Sequence, residues 1–88
     1  MRPKSEVIQL LRDPGVIAVV RAPRAELCPP LARALLEGGV IAIEITMTTP
    51  NAIAAIRDAR EKLGERALIG VGTVLDAKVC REAIEAGG

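Results

Sequence analysis

One carboxylate interrupts an otherwise apolar run: Glu44, inside Val40-Ile-Ala-Ile-Glu-Ile-Thr46. The β-branched content and the flanking Gly38-Gly39 and Thr48-Thr49-Pro50 predict a strand buried on both faces, as in a parallel sheet covered by helices. With period two, Ile41, Ile43 and Ile45 share one face and Ala42, Glu44 and Thr46 the other. The isoleucine face suits packing under helices. The small, polar face suits the inside of a sheet or barrel, where desolvation would favour the protonated acid and equip Glu44 for proton transfer. The structural alternative is a buried ion pair with an arginine such as Arg21. A second candidate is Gly70-Val-Gly72-Thr-Val-Leu75. Leu75 stands where a dinucleotide fingerprint needs its third glycine, and no acidic residue follows about 20 positions on within this chain. The glycines instead let a ligand approach the backbone at Gly72, with Thr73 offering a hydroxyl and an amide to an anion.

Other chemistries lack their residues. There is no histidine, and the two cysteines, Cys28 and Cys80, have neither CxxC spacing nor the number of a disulfide framework, so no metal and no cofactor is expected and both thiols read as reduced helix residues. Twelve basic residues against 11 acidic leave a formal charge of +1, with no Phe, Tyr or Trp, which speaks against nucleic acid as a partner. No apolar run approaches the roughly 20 residues of a membrane-spanning helix, and Met1-Arg-Pro-Lys-Ser-Glu6 is not a secretion signal, so a cytoplasmic protein without membrane contact is expected. Eighty-eight residues leave room for one small domain at most.

The elements that must position these residues alternate. An amphipathic helix is predicted from Pro3 to Leu11, stopped by Asp13-Pro-Gly15, and then a strand from Val16 to Val20 that ends at Arg21. A helix from Ala25 to Glu37 follows, its first turns distorted by Pro29-Pro30 and its end marked by Gly38-Gly39. The Glu44 strand, Val40 to Thr46, leads into a helix from Pro50 to Leu63, with Thr49 as N-cap and Gly64 beyond the end. A third strand spans Ala67 to Val71. The last helix is expected from an Asp76 cap to Ala86, with Gly87 as C-cap. Gly15-Val-Ile-Ala18 and Gly39-Val-Ile-Ala42 open the first two strands alike, as in a repeating β/α architecture with parallel crossovers.

The order is therefore α/β: one helix and three β/α units, against the roughly 200 to 250 residues of a (β/α)8 TIM barrel. Residues 1–88 read as the N-terminal portion of one such barrel domain, a compact three-stranded domain being the other arrangement. In a barrel, ligands gather at the carboxyl ends of the strands. Arg21, Thr46 to Thr49 and Gly72-Thr73 would all meet on that rim, with Glu44 just below.

These residues resemble a known family. Val16-Ile-Ala-Val-Val-Arg21, Leu35-Leu-Glu-Gly-Gly39, Ile43-Glu-Ile-Thr46 and Ile69-Gly-Val-Gly-Thr-Val-Leu75 are similar to the successive N-terminal motifs of the 2-keto-3-deoxy-6-phosphogluconate (KDPG/KHG) aldolases, over about residues 14 to 88. The resemblance implies a metal-independent class I aldolase on a (β/α)8 barrel. Such an enzyme is usually a homotrimer and cleaves a phosphorylated 2-keto-3-deoxy acid to pyruvate and glyceraldehyde 3-phosphate. By position it implies Glu44 as general acid/base, Thr73 beside the pyruvyl carboxylate and Arg21 near the site as a basic residue. Thr48 stands where many members carry an arginine for the substrate carboxylate; its hydroxyl offers a hydrogen bond without the charge-assisted fork.

The family's Schiff-base lysine lies on a sixth strand, beyond Gly88. Lys4, Lys62 and Lys78 fall on predicted helix faces or near the N-terminus, so these 88 residues alone are expected to be inactive. A 4-hydroxy-2-oxoglutarate or phosphogalactonate aldolase shares the motifs and is the alternative within the enzyme class. Outside it stands a non-catalytic β/α assembly module that pairs through an exposed strand edge.

Overall fold

The computed structural model describes residues 2–13 and 15–88. Its elements run α1 (Lys4–Arg12), β1 (Ile17–Val20), α2 (Cys28–Glu37), β2 (Ala42–Thr46), α3 (Ala52–Leu63), β3 (Leu68–Gly72) and α4 (Ala77–Glu85). The three strands form one parallel sheet in the order β1-β2-β3, with Val19 opposite Glu44 and Glu44 opposite Gly70. A helix follows every strand, as expected of an α/β chain that supplies part of a (β/α)8 barrel.

Every residue of β2 is buried except Glu44, which is half-buried. Ile43 and Ile45 are buried beneath the helices, packed with Cys28 and Ala32 of α2 and with Ala55, Ile56, Ala59 and Leu63 of α3. The α3 set recurs at helical spacing, and its alanines let the helix approach the sheet closely. On the opposite face, register aligns Ile17, Ala42 and Leu68, then Val19, Glu44 and Gly70, then Thr46 and Gly72. Helix α1 buries no residue of its own. It is held from its N-terminal side by Arg2, whose guanidinium donates to the Glu65 and Ala67 carbonyl oxygens and pairs with Glu6 and Glu65.

Several predicted boundaries move, each for a local reason. The expected stop of α1 at Asp13–Gly15 includes Pro14, which lies outside the described residues; Asp13 is the C-cap and Gly15 has φ +86°. The predicted distortion before Pro29-Pro30 is a separate 3₁₀ turn, Ala25–Leu27, after which α2 starts with both prolines in its first turn, where their missing N–H groups cost least. Strand β2 begins at Ala42 rather than Val40, because the Val40 N–H donates to the Leu35 carbonyl oxygen (2.9 Å) to close α2. Helix α3 begins at Ala52, not Pro50, and its cap is Asn51 at φ +53°, not Thr49. The Thr49 hydroxyl is engaged elsewhere, accepting the Ala22 N–H at 3.3 Å. The Asp76 cap is as predicted, with Oδ1 accepting the Val79 N–H at 2.8 Å. Ala86 takes the C-cap position expected of Gly87, which follows it at φ +113°.

Candidate active site

Because the strands are parallel, their carboxyl ends lie at one edge of the sheet. Arg21 follows β1, Thr46 to Thr49 close β2, and Gly72 and Thr73 close β3. Hydrogen bonds tie these exits together. Arg21 Nε donates to Thr48 Oγ1 at 2.9 Å, and Thr48 Oγ1 lies 2.8 Å from Thr46 Oγ1. The Ala22–Thr49 contact joins the first exit to the second, and the Met47 N–H, donating to the Gly72 carbonyl oxygen at 2.9 Å, joins the second to the third. The predicted convergence of the three loops is therefore present as a bonded rim.

Thr48, expected to face a substrate acid, is exposed with its hydroxyl shared between Arg21 and Thr46. Its immediate effect is to orient the Arg21 guanidinium through Nε, which leaves the outer nitrogens of that fork to meet an anion. Thr73 is exposed and holds φ +60°, a region that a β-branched residue adopts only under constraint. Its strain lies where the sequence placed an anion-facing hydroxyl.

Glu44 sits one alternation below Thr46, on the face away from α2 and α3. The alternative pairing with Arg21 is not formed: Arg21 bonds to Thr48, and the ion pairs among the described residues join Arg2 to Glu6 and Glu65, and Arg60 to Glu65. Nor is Glu44 buried as expected. It is half-buried between the buried Ala42 and Thr46 of the same face, and its carboxylate extends over Gly72 of the neighbouring strand. Full desolvation of this acid requires further groups over the sheet face.

Below Glu44 a cavity of about 690 Å³ opens between that face and α1, lined by Val7, Leu11, Ile17, Ala42, Leu68 and Gly70 among others. Glu44 lines it together with Arg2, Lys4 and Arg60, whereas Arg21, Thr48 and Thr73 do not, so the acid borders this cavity while the arginine and hydroxyls of the rim lie outside it. Cys28 lies in the helix-sheet core, where burial pushes its thiol up from the ordinary range, away from the reactive thiolate. Cys80 is half-buried on α4. Among the described residues no three His, Cys, Asp or Glu side chains gather as metal ligands would, and no helix is long and apolar enough to cross a membrane.

Sequence reasoning missed two contacts. The Arg21–Thr48 bond spans 27 residues and depends on the β1-β2 register, which no local pattern encodes. The Glu44–Gly72 approach had a signal: a glycine in the strand after an acid-bearing strand, on the matching parity.

A parallel β/α layer whose carboxyl rim carries an acid, an arginine and several threonine hydroxyls is the layout of the ligand-binding face of a β/α-barrel protein. Residues 7–88 match the family model of the KDPG and KHG aldolases. Over 84 residues the chain is 36% identical to the KHG/KDPG aldolase of Escherichia coli K12, covering 96% of this chain and 39% of that protein. It is 47% identical over 58 residues to the 2-dehydro-3-deoxy-phosphogluconate aldolase of Zymomonas mobilis, covering 66% of this chain and 27% of that protein. A crystal structure of the Zymomonas mobilis 2-keto-3-deoxy-6-phosphogluconate aldolase with 3-phosphoglycerate superposes with a TM-score of 0.82 at 34% identity, covering 97% of this chain and 40% of that one. The chain belongs to the KDPG/KHG aldolase family. It spans about two fifths of the length of these relatives.

Proposed function

We propose that residues 1–88 are the N-terminal portion of a (β/α)8 aldolase that cleaves 2-keto-3-deoxy-6-phosphogluconate to pyruvate and glyceraldehyde 3-phosphate through a Schiff base on a lysine beyond Gly88. The observation that carries the reading is the position of Glu44, a half-buried acid without a salt-bridge partner among the described residues, directly beneath a rim of hydroxyls and one arginine in a chain of this family. Glu44 exchanges protons with the substrate, first as the carbinolamine forms and loses water and then at the hydroxyl whose proton leaves when the carbon–carbon bond breaks. Arg21, oriented by Thr48, and the Thr73 hydroxyl and amide hold the acid end of the substrate. No residue of this set requires a metal or cofactor. The E. coli relative's name carries KHG beside KDPG, so 4-hydroxy-2-oxoglutarate is the second substrate to assay. A cytoplasmic homotrimer completes the proposal.

The test uses the complete protein. Borohydride reduction with pyruvate should add one pyruvyl group to a lysine, read as an intact-mass increase, and Glu44→Gln should keep the fold while lowering kcat by the ~10²–10⁴ of losing a general acid/base. No adduct on any lysine refutes the Schiff-base chemistry; full turnover of Glu44→Gln removes Glu44 from it.

A further inference from the structure

We infer that Gly72 is a positioning residue for Glu44: the absence of a side chain at 72 makes the space in which the Glu44 carboxylate is held. This deepens the proposed function and rests on Glu44 being its acid/base. A Cβ built on Gly72 would stand 1.8 Å from Glu44 Oε1, 2.6 Å from Cδ and 3.2 Å from Cγ, and these are its three nearest atoms. The constraint is therefore specific to one side chain. It is also not a backbone requirement, since Gly72 is absent from the positive-φ glycines, which are Gly15, Gly39, Gly64 and Gly87 among the described residues. Register explains the geometry. Glu44 pairs with Gly70 and Thr46 with Gly72, so all four residues share the face, and the long Glu44 side chain leans along the strand direction toward the rim and over Gly72. Gly70, directly opposite Glu44, has a carbonyl oxygen at 4.0 Å from its would-be Cβ and no closer neighbour, so a methyl fits there. Of the two glycines of the Gly70-Val-Gly72 pair, only the second reserves room for the acid.

Position matters because a proton moves only across hydrogen-bond reach, and a displacement of about 1 Å can cost on the order of 10²-fold in rate. Any residue larger than glycine at 72 must push the carboxylate aside. The flexible glutamate can yield without unfolding the sheet, so the penalty falls on turnover and not on stability.

The experiment compares Gly72→Ala, Gly70→Ala, Glu44→Ala and the double variant Gly72→Ala/Glu44→Ala in the complete protein, by kcat, KM, Tm and the crystal structure of Gly72→Ala. The expected result is a displaced Glu44 carboxylate and a kcat lowered at least about tenfold, with KM and Tm nearly unchanged. Gly70→Ala should retain kcat within about twofold. In the double variant the alanine at 72 should lower kcat no further, because the group it displaces is gone. An unmoved carboxylate, an unchanged kcat in Gly72→Ala, or an equal further loss in the double variant each overturns the inference. A Glu44→Ala enzyme with full turnover would refute the acid/base assignment itself, whatever the crystal structure reports about the position of the carboxylate.

Discussion

Thr73 carries a β-branched side chain at φ +60°, immediately after the glycine that accommodates the Glu44 carboxylate. Such a conformation costs of order 1–3 kcal/mol in a non-glycine residue and persists where surroundings over-determine it. Thr73→Gly should remove that strain but add chain entropy to the unfolded state of roughly 0.5–1 kcal/mol. The two effects oppose, so Tm should move by no more than a few degrees, while the loss of the hydroxyl raises KM for the keto acid in the complete protein. A large fall in Tm with KM unchanged would make Thr73 a structural residue. Glu44 was legible in the sequence at this scale because it is a lone charge in an apolar run, and alternation alone put it on the face with Ala42 and Thr46. The extent of its burial was not legible. Burial of a side chain on this sheet face depends on groups contributed from elsewhere in the fold, and here Ala42 and Thr46 are buried while Glu44 between them is half-buried. Thr48 shows the converse: its residue type suggested a weak ligand for an acid, whereas its partner across the rim makes it the support of Arg21.

Element order, and every helix and strand, could be read from periodicity and turn residues, because each β/α unit is punctuated by its own glycines and prolines. What local patterns could not supply is competition for a single hydroxyl. Thr49 before Pro50 has the form of an N-cap, but its hydroxyl accepts from Ala22 in a different unit, and α3 starts two residues later with Asn51 in the left-handed region. Asp76 meets no such competitor, and its carboxylate accepts the Val79 N–H. Asp76→Ala should therefore cost about 1 kcal/mol of stability, a loss typical of a removed cap. Thr49→Val should weaken the join between the β1 and β2 exits while leaving the α3 start as it is. Urea unfolding of both variants, with hydrogen exchange at the first turns of α3 and α4, checks the assignment: increased exchange at the start of α3 in Thr49→Val would restore Thr49 as its cap.

The accessible surface of the whole molecule, 5452 Å², exceeds the roughly 5,000 Å² that scaling gives for a folded 9.3 kDa monomer. Much of the excess is apolar and has a location. Val16, just before β1, and Ile17 and Val19 within it are between 50% and 63% exposed at one edge of a three-stranded sheet, and β3 forms the other edge. Each edge presents backbone N–H and C=O groups that no neighbouring strand satisfies among the described residues, which is the condition under which sheets recruit another strand. In a closed barrel both edges would be paired and the Ile17 and Val19 face enclosed. The 88-residue chain by itself should accordingly self-associate as concentration rises, measured by sedimentation velocity, and Ile17→Lys should shift that association to higher concentration by placing a charge on the apolar edge. Ile17 is half exposed and outside the buried core cluster, so the variant's far-UV circular dichroism should match the parent's. A parent chain that stays monomeric at every concentration would mean that the exposed face is tolerated as it stands and that strand pairing is not what it seeks.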